Sequence, residues 1–355
     1  MSNLMRASEQ WRNRPVDERF QTLEELKTSV LNRRKISIEA SVNLKEVNVI
    51  AKNDDIKLNY CNTDFGLTNW SFQQLCSIAD APAGYIQKLS PELAVSNLRY
   101  GIAKTDTINK LLISANGDKS IRALTSTGYS RIWDIDVVNA VEHLCELNPS
   151  WHNPPAYKVG SFGDKNGMEN AGLYASDRDI FMFMVDEEHK IEVNGDFMSR
   201  GFFVWNSEVG KATFGITTFL YRYVCGNHIV WDAKQVQSSR VVHKGDAPYK
   251  AFKEVVPTLK HYIESSAVFE TQTIKKAIEY RIADNEQDTI TWLRNKDFQL
   301  SESKQAIETA KKEEGSYNSL WNIVQGLTAS ARNRIHVDAR LDLEKRAGKL
   351  LNLVS

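Results

Sequence analysis

Six consecutive apolar residues, Ile180-Phe-Met-Phe-Met-Val185, stand between Asp179 and Asp186, the densest apolar run in the chain. Six residues is strand length, and far short of the ~20 needed to cross a bilayer as a helix. The run therefore predicts a buried strand in a globular interior. With 355 residues, 42% hydrophobic and 25% charged, the chain has the composition of one large folded domain or two ordinary ones.

From that strand the reading extends both ways. Residues 1–40 are polar and basic-leaning, with one amphipathic segment from Asp17 to Leu31, and read as an N-terminal arm or a solvated helix. Arg6, Arg12 and Arg14 precede no apolar core, so no secretory signal is expected and a cytoplasmic location is. Val47 and Val49, then Ile56, Leu58 and Tyr60, alternate around Lys52-Asn-Asp-Asp55 and predict a β-hairpin. Thr68 caps a helix through Phe72 and Leu75, and Ser90-Pro91 opens another. Asn116-Gly117 between two apolar runs predicts a second hairpin, and Asp134 to Leu147 a helix. The Pro- and Gly-rich stretch Asn148 to Asn170 reads as a loop and internal sub-boundary. Gly201 to Asn206 reads as a strand, whereas Thr213 to Val224 suits a strand or a short helix. Beyond Tyr249, apolar residues fall at helical spacing (Val255, Leu259, Ile263; Ile274, Ile278, Ile282), with Trp292 and Trp321 as packing anchors. The expected class is α+β, an antiparallel sheet core with flanking helices and a helical C-terminal region. It divides as 1–40, 41–249 and 250–355.

The polar residues of the central block, Leu173 to Gly245, are where chemistry is expected. Ser176-Asp-Arg-Asp179, Arg200, Asn206-Ser-Glu208 and Cys225-Gly-Asn-His228 flank predicted strands. Charges at strand ends are paired or lie at a rim, because isolated burial is too costly. Ion pairing and loop capping are thus the plainer reading, and a mounted site the sharper one. Arginine and aromatic residues interleave from Arg122 to Trp133 and around Arg222, a mixture suited to phosphates and stacked bases and equally to half-buried strands. Ser238 to Lys260 is locally basic, and the helix pair Trp70 to Leu89 is loosely similar to a helix-turn-helix reader. Cys61, Cys76, Cys145 and Cys225 contain no C-x-x-C pair, which argues against a disulfide framework. His143-x-Cys145 and Cys225-x-x-His228 could supply zinc ligands, but the first pair would diverge on a helix. Phosphate-loop, dinucleotide, nucleophile-elbow and zincin motifs are all missing. No metal and no cofactor is expected.

Arg122-Ala-Leu-Thr-Ser-Thr-Gly-Tyr129, Leu173-Tyr-Ala-Ser-Asp-Arg-Asp179, Arg200-Gly-Phe-Phe-Val-Trp-Asn-Ser-Glu-Val-Gly210, Phe219-Leu-Tyr-Arg-Tyr-Val-Cys-Gly-Asn227 and Gln325-Gly-Leu-Thr-Ala329 share a pattern. They resemble the phage/plasmid-like protein family of unknown function found in prophages, phages and conjugative plasmids. The resemblance covers the chain from about Trp70 onward. It implies a setting of DNA replication, recombination or interference with host defence, and no defined activity. The leading expectation is a non-enzymatic protein that binds single-stranded nucleic acid, DNA foremost, and assists annealing, recombination or replication. Arg122, Tyr129, Arg178, Arg200, Arg222 and His243 would make the contacts, with Asn206 and Asn227 orienting them. One alternative is a metal-dependent nuclease using Asp177, Asp179, Glu208 and His243. The other is an inhibitor of a host defence protein, docking through an apolar stripe in residues 250–350. No membrane partner is expected, and self-association into a homo-oligomer stays open.

Overall fold

A computed structural model of the chain describes residues 16–115, 119–153, 172–222, 227–229, 239–331 and 337–355. Strand β1 (Arg19–Phe20) leads into helix α1 (Leu23–Lys35), which a reciprocal Thr22/Glu25 capping box starts. Strands β2 (Ser37–Asn43), β3 (Asn48–Lys52), β4 (Asp55–Tyr60), β5 (Thr63–Leu67), β6 (Ile108–Ser114) and β7 (Ser120–Ser126) then form a six-stranded sheet. Its order is β2-β6-β7-β5-β4-β3, antiparallel except for the parallel β5–β7 pair. The hairpin expected around Lys52–Asp55 is there, with Asn53 and Asp54 both at positive φ, as a tight two-residue turn requires. Helices α2 (Asn69–Ile78), α3 (Ala83–Ile86) and α4 (Pro91–Ala103) bury Leu75, Ile86 and Leu98 against Leu58 and Leu111 of this sheet.

The second sheet carries the apolar run. After α5 (Asp134–Leu147) come β8 (Trp151–His152), β9 (Leu173–Ala175), β10 (Ile180–Asp186), β11 (Ile191–Val193), β12 (Asp196–Asn206), β13 (Phe214–Arg222), β14 (Asn227–Ile229) and β15 (Ser239–Val241). With β1 they make a nine-stranded sheet whose main path is β1-β9-β10-β12-β13-β14; β8, β11 and β15 pair with β10, β12 and β13. Strand β10 lies inside it and both of its faces are buried. Ile180, Met182 and Met184 pack with Phe202, Val204 and Ile216 against α1 and α5. Phe181 and Phe183 join Tyr174, Phe203, Trp205 and Phe219 in an aromatic layer on the opposite face. That is why the sequence shows no polar alternation here. Two rings lie over glycines of the neighbouring strand: a Cβ at Gly201 would overlap Phe219, and one at Gly215 would overlap Trp205. The Thr213 to Val224 ambiguity resolves as strand because Phe214 and Ile216 share a face at period two.

The C-terminal region is helical, as its spacing predicts. Helix α6 (Ala247–Tyr249) continues through a π-helical stretch, Lys250–Val255, into α7 (Val256–Glu264). The π stretch ends just before Pro257, which lacks the N–H that an α ladder needs. Helices α8 (Val268–Glu279), α9 (Glu286–Arg294), α10 (Leu300–Glu314), α11 (Leu320–Ala331) and α12 (Val337–Leu350) follow. Trp321 is buried and Trp292 packs at the edge of the same cluster. Among the described residues, no helix is long and apolar enough to cross a membrane.

Two expectations change. The region up to residue 40 is no solvated arm in its described part: α1 buries Leu26 and Val30 in the central core, and β2 begins at Ser37. The second helix of the supposed DNA reader, α3, is a single turn, too short to lie along a groove. Most of the 148–170 loop and the Asn116-Gly117 turn lie outside the described residues.

Candidate functional site

Four of the predicted contact residues, Arg122, Tyr129, Asn206 and His243, meet at a buried junction between the sheets, and Arg178, Arg200, Arg222 and Asn227 lie elsewhere. The junction grows from the end of β12. Asn206 is fully buried, and its Nδ2 donates to the Ile132 carbonyl at 2.8 Å and to Asp134 Oδ1 at 2.7 Å. Two residues on, Glu208 Oε2 accepts from Arg122 Nη2 at 2.8 Å, and Oε1 accepts from the Asp134 N–H at 3.0 Å. Asp134 Oδ2 pairs with Arg33 Nη2 of α1 at 2.6 Å, and Arg122 Nη1 reaches Ser37 Oγ at 3.0 Å. Arg131 Nε donates to Glu39 at 2.9 Å.

The main chain of this loop is captured as tightly as its side chains. Tyr129 Oη donates to the Ser207 carbonyl at 2.9 Å, and an Arg131 guanidinium N–H donates to the Glu208 carbonyl. Trp70 Nε1 and Gln74 Nε2 donate to the Val209 carbonyl at 2.9 and 3.0 Å. Three successive carbonyls are thus tied to the connection between β7 and α5, through Tyr129 and Arg131, and to α2. Two of the stretches that carry the resemblance, Arg122 to Tyr129 and Arg200 to Gly210, meet here and knit the sheets together.

Burial sets the electrostatics. Burial and the adjacent Glu208 charge push the Asp134 carboxyl up to about 7, against the pull of Arg33. Burial also opposes ionisation of Glu208, but the Arg33 and Arg122 charges outweigh it and hold that carboxyl below its ordinary value. His243 is 5% exposed and stacks on Tyr129 with ring centroids 5.1 Å apart. Its Nδ1 accepts from the Ile132 N–H, and burial pushes its pKa down to about 4, so the ring is neutral at physiological pH.

Arg122, Asn206 and His243 are therefore interior residues with protein partners, and Tyr129 has its hydroxyl occupied. They do not present ligand contacts. Arg200, 3% exposed, is also interior: its guanidinium lies between the Trp151 and Tyr262 rings, 5.4 and 5.1 Å from their centroids, and donates to the Tyr262 carbonyl. Arg178 is part-exposed, beside Asp177 and Asn69, and Tyr129 is part-exposed as well. Arg222 and Asn227 oppose each other where β13 pairs with β14; their side chains lie outside the described residues. Nor do the four residues of the nuclease reading converge. Glu208 is bound to arginines, Asp179 to Ser176, and His243 to Tyr129. Among the described residues no group of three or more His, Cys, Asp or Glu side chains is placed to hold a metal ion.

The sequence missed Arg33, Asp134 and Arg131 as members of the junction. Asp134 reads as a first-turn helix residue and Arg33 is not singled out, and nothing local marks either as a cross-sheet partner.

Beside the junction lies a different surface. Lys244 pairs with Tyr129 in an isolated antiparallel bridge. From Arg240 to Lys244 exposure alternates strictly: Arg240, Val242 and Lys244 face solvent, while Val241 and His243 are buried. The helical stretch that follows exposes Tyr249, Lys250, Lys253 and Lys260 at roughly helical spacing. Val242 and Tyr249 are 66% and 63% exposed, high for side chains of this size. Among the described residues Arg240, Lys244, Lys250 and Lys253 have no ion-pair partner, and the exposed acids of the 239–260 stretch are Asp246 and Glu254.

Comparison with known proteins adds a family and no activity. Residues 157–347, more than half of the chain, match the family described as Domain of unknown function (DUF932), and the chain belongs to that family. No curated protein and no solved structure matches.

Proposed function

We propose that this member of a family of unknown function binds single-stranded nucleic acid along residues 239–260, and assists annealing, recombination or replication in a phage or plasmid setting. The observation that carries this reading is the exposed strand-and-helix surface of Arg240, Val242, Lys244, Tyr249, Lys250 and Lys253. Unpaired cations there meet phosphates, and exposed Tyr249 offers a face on which a base can stack. The contacts thus pass from the buried motif arginines to cations beside them. The neutral net charge of the whole chain is no obstacle, because phosphate binding depends on the local field.

The test is fluorescence anisotropy of a labelled mixed-sequence 30-mer single strand across a salt series. Binding is expected to weaken with salt, and the triple variant Lys244→Ala/Lys250→Ala/Lys253→Ala to lower the log–log slope by about 2, near 0.7 for each lost phosphate contact. No binding at low salt, or an unchanged slope in the variant, defeats the reading. The inhibitor reading gains no comparable support. Among the described residues of the C-terminal region, the exposed large apolar side chains Val268, Tyr280, Leu300 and Leu353 are scattered over separate elements and form no stripe.

A further inference from the structure

We infer that the N-terminal sheet carries a docking groove for a short peptide segment of another protein, one that places a Lys or Arg beside a bulky apolar side chain. The groove, of about 280 Å³, lies between the β3–β4 turn, the β5–α2 connection and α3. Ile56, Leu67, Phe72, Ile86 and Leu89 supply apolar lining, and Asp54 and Asp55 stand at the turn.

Three observations select this occupant. The volume falls just short of the ~300 Å³ at which small-molecule pockets begin, so it suits one or two side chains better than a cofactor. Asp54 and Asp55 are exposed, and among the described residues neither has an ion-pair partner, whereas the nearby Asp64 is held by Lys52 at 2.6 Å. Two exposed carboxylates favour a cation over a phosphate, which separates this groove from the basic surface at 239–260. Last, Asn69 and Gln87 are among the lining residues, and an amide side chain is able to hydrogen-bond a peptide backbone. Tyr85 on α3 and Leu93 on α4 are each 57% exposed and add apolar surface on the elements that form one wall.

The inference stands independently of the nucleic-acid reading. Its test is selection from a displayed random 12-mer peptide library on the full chain, followed by anisotropy with the labelled selected peptides. The variant Asp54→Asn/Asp55→Asn removes both charges, and asparagine at position 54 tolerates the positive φ of 56°. A second variant, Leu89→Glu, places a charge in the apolar lining. The expected result is enrichment of peptides pairing Lys or Arg with a large apolar residue, with affinity about tenfold weaker in the first variant and lost in the second. Circular dichroism of both variants establishes that they are folded. Selected peptides without a basic residue, or binding unchanged by both variants, overturn the inference. So does a self-associated state in sedimentation that the Asn variant dissolves, since the occupant would then be a second copy of the chain.

Discussion

Arg122 and Lys253 are both cations of the same chain, and the difference between them is the environment each occupies. Arg122 is 5% exposed, bound to Glu208 and to Ser37, and burial lowers its pKa. Lys253 projects from a helix into water with no acid holding it. In the interior a charge persists only when partners replace its hydration, so each junction arginine sits beside a carboxylate or a carbonyl. At the surface hydration suffices, and a cation stays free for a mobile anion. Residue type and proximity to a recognisable motif therefore say little about ligand binding here, and burial says much. The junction arginines hold the two sheets in register, and the neighbouring lysines are what a ligand would meet.

The comparison breaks most directly at Glu208. Glu208→Ala leaves Arg122 and the Asp134 N–H without their acceptor inside the protein, and is expected to cost roughly 3–5 kcal/mol in urea unfolding. Replacing the pair together, Arg122→Met with Glu208→Met, is expected to recover part of that loss, because no uncompensated charge then remains buried. A Glu208→Ala variant as stable as the parent would show that the junction is hydrated and its charges act as surface charges.

Acid titration sharpens the same contrast, because two junction groups oppose each other. His243 is held neutral to about pH 4 while the unfolded side chain protonates near 6.5, so acidification between those values destabilises the fold through His243. Asp134 behaves in the opposite sense. Its folded carboxyl binds a proton near pH 7 and the unfolded one only near 4, so stability gained through Asp134 grows as pH falls through this window. Each contributes at most about 1.4 kcal/mol per pH unit, and the two largely cancel. Glu208, with its lowered pKa, adds stability above its unfolded value that is lost at lower pH. Urea unfolding from pH 7 to 5 is therefore expected to be nearly flat for the parent, to gain stability in His243→Gln, and to lose it more steeply in Asp134→Asn. Parallel profiles for all three proteins would show that neither group titrates as its burial requires.

A smaller effect is expected at Tyr129. Tyr129→Phe removes only the hydroxyl that donates to the Ser207 carbonyl, so thermal denaturation should register a loss of about 1–3 kcal/mol. Binding of the single strand should not change.

What the sequence revealed follows the same division. The α+β class, the Asn53-Asp54 hairpin and the helical C-terminal region were legible, because periodicity and turn chemistry are local. The doubly buried β10 was legible from six apolar residues alone. The junction was not. Arg33, Arg122, Asp134 and Glu208 come from four separated segments, and local pattern carries no trace of a long-range ion pair. The predicted contacts Arg122, Arg200 and Asn206 follow from the same gap, since polar residues at strand ends look alike whether the strand end meets water or another sheet.

The smallest expected effect on stability is the most telling for the comparison. Lys250→Ala and Lys253→Ala remove exposed side chains without fixed partners, so each should change unfolding free energy by less than about 0.5 kcal/mol. Each should nevertheless lower the salt slope of oligonucleotide binding by about 0.7. That pattern, stability unmoved and binding weakened, is the inverse of the one expected at Tyr129, and measuring both on the same variants separates a cation that holds the fold from one that meets a ligand. Stability losses at Lys250 or Lys253 comparable to that at Tyr129 would place these lysines with the junction and leave the basic surface without its carriers.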